Sequence, residues 1–164
     1  MKIKVVVLCL GLLLAGCGFR PLYAQREELL DQIQTVQVDP IAVEGGYKIS
    51  LILKDKLNPE GNHSAKKYRL AVTLNQPKYT NQSIRSDNFA SLEQMKLSAS
   101  YELIRISDGE KVIASSVSSN GLFNLIKDPY ATTVAREKLY DNLLQLIAED
   151  IANHILSYFK GEAS

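Results

Sequence analysis

Met95-Lys96-Leu97-Ser98-Ala99-Ser100-Tyr101-Glu102-Leu103 alternates apolar and polar side chains without a break. Successive side chains of a strand point to opposite faces, so this period of two describes a strand with one buried and one wet face. Downstream, Ser107-Asp108-Gly109-Glu110 carries the Asp-Gly pair of a tight hairpin, and Lys111 to Phe123 returns as a second strand with a Ser-rich far end. Upstream, Tyr68, Leu70, Val72 and Leu74 alternate with Arg69, Ala71, Thr73 and Asn75, a further half-buried strand. Pro77 interrupts it and demotes any continuation to an edge, and the polar stretch Lys78 to Ser91 reads as a separator. Nearer the start, Ile33 to Val38 reads as a short first strand, with Val36 and Val38 alternating against Thr35 and Gln37.

Two segments change period. Between Gly45-Gly46 and Asn58-Pro59-Glu60-Gly61, the stretch Tyr47 to Leu57 spaces Ile49, Ile52, Leu53 and Leu57 by three and four residues, the mark of an amphipathic helix. Asp128-Pro129 opens another: the carboxylate accepts an orphan N–H, and proline at the first helical position sacrifices no needed donor. This helix runs to about Lys160, with Leu139, Leu143, Leu146, Ile147, Ile151, Ile155 and Phe159 as its apolar stripe and Gly161 behind it. The stripe suits packing on the chain's own sheet better than a coiled coil. The order strand-helix-strand-strand-strand-helix predicts an α+β two-layer sandwich: a four-stranded mixed or largely antiparallel sheet with two helices on one face.

The amino-terminal segment is a targeting device. Lys2 and Lys4 precede the apolar run Val5 to Ala15, which is shorter than the twenty or so residues that span a bilayer. It ends in Leu14-Ala15-Gly16-Cys17, which resembles a bacterial lipobox. That resemblance implies cleavage before Cys17 and acylation of Cys17, palmitate being an expected chain. Several chains anchor firmly, each buried methylene adding about 0.8 kcal/mol. Residues 1–16 are thus read as a removed signal, 17–30 as a lipidated tether and 31–164 as a single domain. Gly18, in place of the Asp that retains enteric lipoproteins in the inner membrane, directs the protein to the outer membrane, facing the periplasm.

Removing Lys2 and Lys4 takes the formal net charge from +1 to −1, so no basic field recommends nucleic acid as a partner. Cys9 leaves with the signal and Cys17 is the lipid site, so no thiol remains for a disulfide or a metal. Of the two histidines, His63 reads as a solvated loop residue and His154 as an ordinary helix residue, neither with ligand spacing nearby. Phosphate loops, serine nucleophile elbows and zinc-binding His-Glu-x-x-His pairs are absent, and Glu149-Asp150 reads as a helix surface pair. No catalytic residue, cofactor or metal is predicted. Arg85, in the polar segment between strands, and Arg136, early in the last helix, read on spacing alone as solvated charges, although a guanidinium can hold a phosphate in bidentate geometry.

Beyond the lipobox, Cys17-Gly18-Phe19-Arg20-Pro21-Leu22-Tyr23 resembles the mature start of the LptE family, the lipopolysaccharide-assembly lipoproteins of Gram-negative bacteria, in a short alphaproteobacterial-like form. Leu57-Asn58-Pro59-Glu60-Gly61, Tyr68-Arg69-Leu70, Ser100-Tyr101 and Asp128-Pro129-Tyr130-Ala131-Thr132-Thr133-Val134-Ala135 continue the likeness in order along the chain. The resemblance implies a non-enzymatic protein that plugs the lumen of the LptD β-barrel and helps insert lipopolysaccharide into the outer leaflet. It also implies lipopolysaccharide contacts at a basic residue between the second and third strands and another near the start of the last helix, which fall on Arg85 and Arg136. The alternative is a free-standing periplasmic lipoprotein that binds lipid or glycan.

Overall fold

The computed structural model describes residues 29–62, 64–84, 90–125 and 128–162. Strand β1 (Val36–Val38) leads into helix α1 (Gly46–Leu57), followed by strands β2 (Tyr68–Leu74), β3 (Lys78–Ile84), β4 (Ala90–Arg105) and β5 (Lys111–Asn124) and by helix α2 (Pro129–Glu162). The expected α+β sandwich is present, with a mixed sheet. Central to it is β4, the strand predicted from residues 95–103. Strand β5 runs antiparallel along one of its edges, from Leu92↔Asn124 to Ile104↔Lys111. Along the other edge β2 and β3 lie end to end, Leu74 opposite Ala99 and Lys78 opposite Lys96. Strand β1 pairs in parallel with β2.

The sheet therefore has five strands rather than four. Pro77 does not end the pairing: residues 75–77 interrupt the ladder where a missing N–H costs nothing, and the chain rejoins β4 at Lys78. Residues 78–84 escape a hydrophobicity reading because Thr80, Asn81 and Gln82 are polar and exposed on an edge strand. At the start of the domain, strand geometry is confined to Val36–Val38. Ile33 instead closes a helical turn over residues 29–33, where it is buried and Leu29 packs against the same core.

One layer of side chains joins sheet and helices. Met95, Leu97, Ala99, Tyr101 and Leu103 are all essentially inaccessible, as are Ile49, Leu53 and Leu57 of α1 and Leu143, Ile147, Ile151 and Ile155 of α2. Each fully buried Leu or Ile contributes about 1.5–3 kcal/mol. Leu146 departs from the predicted stripe, with 47% of its surface exposed; Leu144, Ala148 and Ala152 are buried in its stead. Two helices lie above the sheet, so the stripe of α2 widens toward α1 and turns Leu146 outward.

The helix termini follow the predicted chemistry. Asp128 Oδ1 accepts the Tyr130 N–H at 2.9 Å, capping a helix of 34 residues. After α1, the Asn58 side chain closes its loop by bonding both the N–H and the carbonyl of Asn62. The Asn62 amide in turn donates to Gln34 Oε1 at 2.9 Å, fastening the loop to the buried Gln34.

Candidate functional site

Arg136 lies two turns into α2, where the Asp128-Pro129 start sets its position. Its guanidinium carbon sits 5.4 Å from the Tyr79 ring centroid and 5.5 Å from that of Phe123, and Nη2 is 3.7 Å from Glu93 Oε2. Three strands thus deliver its neighbours: Tyr79 from β3, Glu93 from β4 and Phe123 from β5. Among the described residues Glu93 Oε2 is buried without a hydrogen bond, and the Arg136 guanidinium faces it. The Arg136 side chain remains 44% exposed, which leaves part of the guanidinium open to a ligand.

Beside Arg136 the break between β2 and β3 opens a notch of about 520 Å³. Asn75, Gln76 and Pro77 form one wall, Tyr79 and Arg136 another, and Tyr140 with Glu44 closes it. Tyr140 donates its hydroxyl to the Glu44 carbonyl at 3.0 Å. Burial, reinforced by the Glu44 carboxylate, raises the Tyr140 phenol above its ordinary value, so it is a donor at neutral pH. Gly45 makes the closure possible. Its φ is +75°, and a Cβ there would stand 2.6 Å from the Tyr140 hydroxyl and 2.9 Å from a Leu144 methyl.

The second feature is the face of the sheet turned away from the helices. Thr73, Lys96, Ser100, Ser116 and Ser118 are exposed on it. Its amides form a ladder: Gln82 donates to Gln94 and Gln94 to Asn120, each at 3.1 Å. Lys78 and Lys96 stand directly opposite one another, an arrangement of like charges that repels. On the other, covered face, Tyr101 Oη and His154 Nδ1 lie 2.6 Å apart, so His154 joins α2 to the sheet.

Neither feature holds a nucleophile with its base. Among the described residues no group of three or more His, Cys, Asp or Glu is arranged to hold a metal, and no helix is long and apolar enough to cross a membrane. Of the residues singled out in the sequence, Arg136 occupies the notch, whereas Cys17 and Arg85 lie outside the described residues. The reading by spacing missed Tyr79, Glu93, Phe123 and Tyr140. Alternation along Lys111 to Phe123 does put Phe123 on the buried face with Val117, and that was the one signal available for them.

This architecture, a mixed sheet with two helices on one face, is shared with several solved bacterial lipoproteins. A provisionally assigned lipoprotein of Caulobacter crescentus CB15 superposes with a TM-score of 0.66 at 17% identity, covering 83% of this chain and 98% of its own. Rare lipoprotein B of Shewanella oneidensis has a TM-score of 0.63 at 10% identity, covering 79% and 97%. An uncharacterized lipoprotein B of Nitrosomonas europaea has 0.57 at 8%, covering 75% and 81%. At these identities the likeness is one of fold. No protein-family model and no curated protein matches the chain.

Proposed function

We propose that this chain is an LptE-like lipoprotein, anchored through Cys17 to the periplasmic side of the outer membrane, that plugs an LptD-like β-barrel and assists insertion of lipopolysaccharide. It acts as an interaction partner, without an active site or cofactor. The observation that carries this reading is the helix-free sheet face. It is broad, built of hydroxyls, amides and two lysines, and suited to the polar, water-filled interior of a large barrel. The shared fold and the sequence resemblance to LptE support it. A lipid tether would raise the effective concentration of such a plug beside its barrel.

Arg136 and the notch are the candidate contact for lipopolysaccharide phosphates, with Arg85 the second candidate from the sequence. A photoreactive residue at position 100, on the sheet face, tests the plug reading in cells. A covalent adduct with an LptD-like barrel is expected, and a folded, lipidated protein giving no barrel adduct overturns it. For the ligand, Arg85→Glu is expected to weaken lipopolysaccharide binding in a protein of unchanged fold. Undiminished binding removes Arg85 from the site.

The notch favours the second reading, a free-standing lipid- or glycan-binding lipoprotein. That reading gains if the isolated protein binds lipid tightly in the notch while its depletion leaves the barrel correctly assembled.

A further inference from the structure

Among the described residues, strand β5 is the long free edge of the sheet, and only β4 pairs with it. The hydrogen-bond parity shows which of its backbone groups are spare. Asn75 N–H donates to the Ser98 carbonyl, so Ser98 directs its backbone groups toward β2 and β3. Ser118, opposite Ser98 on β5, is therefore in a non-hydrogen-bonded pair, and its N–H and C=O point away from the sheet. By the period of two, Ala114, Ser116, Asn120, Leu122 and Asn124 do the same, and all six residues are exposed.

Natural edge strands of this length are blunted by lysine, proline, inward charge or short length. None of these devices is present between Val112 and Asn124, a run with no Asp, Glu, Lys, Arg or Pro. Directly above the strand runs one flank of α2. Leu139 packs against Gly121. Leu146 falls between Leu139 and Asp150 on that same stripe, half exposed.

We infer that the outer edge of β5 pairs antiparallel with β5 of a second copy of this chain, about a two-fold axis through Ser118. The uncharged run is symmetric about Ser118, so every residue meets an uncharged residue: Ser118 its own counterpart, Ser116 Asn120 and Ala114 Leu122. Reciprocal hydrogen bonds then satisfy the outward groups of the five residues Ala114, Ser116, Ser118, Asn120 and Leu122. Such an isologous contact closes on itself and consumes the long edge of each protomer. The exposed Leu122 comes to lie beside the second copy's Ala114. This inference concerns the free chain and is independent of the plug reading.

Sedimentation velocity of the full chain in detergent, with hydrogen exchange at the β5 amides, tests it. A concentration-dependent dimer is expected, with protection of the Ser116, Ser118 and Asn120 amides rising as the dimer forms. Ser118→Lys, which sets like charges opposite each other across the axis, is expected to abolish the dimer. Ser100→Lys, on the same face but in the sheet centre, is expected to leave it intact. Asn120→Lys serves as the second edge variant should Ser118→Lys fail to fold. A wild-type monomer at every concentration, a dimer unmoved by the edge lysines, or protection of β5 only when a different chain is added would each overturn the inference.

Discussion

Arg136 works inside the protein before it can work on a ligand. Stacked between Tyr79 and Phe123, it gains about 0.5–1 kcal/mol from a ring face at an exposed site, and it answers a carboxylate oxygen that has no hydrogen bond. Arg136→Ala is therefore expected to cost about 1–3 kcal/mol, chiefly by stranding Glu93. Adding Glu93→Gln to that variant should recover part of the loss, because a neutral amide tolerates the site better than an unpaired charge. Urea denaturation of the two single variants and the double variant measures the coupling, and strictly additive losses would show that the pair does not interact. A fall in ligand binding on mutating Arg136 must accordingly be separated from a fall in stability. Sequence spacing had no means of assembling this cluster. Tyr79, Glu93 and Phe123 sit on three different strands, and only strand register brings them to Arg136.

At the scale of elements, strong periodicity was readable and weak periodicity was not. Residues 95–103 form a strand because one face is wholly apolar, and Asp128-Pro129 starts a helix because cap and ring chemistry act locally, so both could be read without tertiary information. Strand β3 depends on backbone pairing with β4 along a polar edge, where side-chain hydrophobicity carries no signal. In α2 the period was right but the face was set by α1: Leu144 packs inward, near Gly45, and Leu146 points out. Two truncations distinguish these positions. Leu143→Ala, at a site 1% exposed, should lose about 2–5 kcal/mol to burial and cavity terms. Leu146→Ala should change the stability of the monomer by no more than about 0.5 kcal/mol, as at other surface sites. Comparable losses in thermal or urea unfolding would mean that Leu146 is in the core after all.

The whole molecule ties its elements together partly through phenols, and this gives its stability a pH dependence. Tyr101 reaches from β4 to His154 on α2, and Tyr140 from α2 to the loop before α1. Burial raises both above the ordinary phenol value of 10.0, with Asp150 adding to the shift at Tyr101 against an opposing hydrogen bond from Ser115, and Glu44 adding to it at Tyr140. The sign follows from linkage. The folded state favours the neutral phenol, so its stabilising effect is complete below the unfolded value and is lost as pH climbs through the raised folded value. Above about pH 10 the unfolded chain releases these protons first, and unfolding is pulled forward. The wild-type protein should therefore lose urea resistance in this alkaline window more steeply than a Tyr101→Phe/Tyr140→Phe variant, whose rings fill the same space without an ionisable proton. Equal slopes would show that neither phenol is held neutral by the fold. A difference confined to Tyr101→Phe would place the alkaline weak point between the sheet and α2, away from the notch at Arg136.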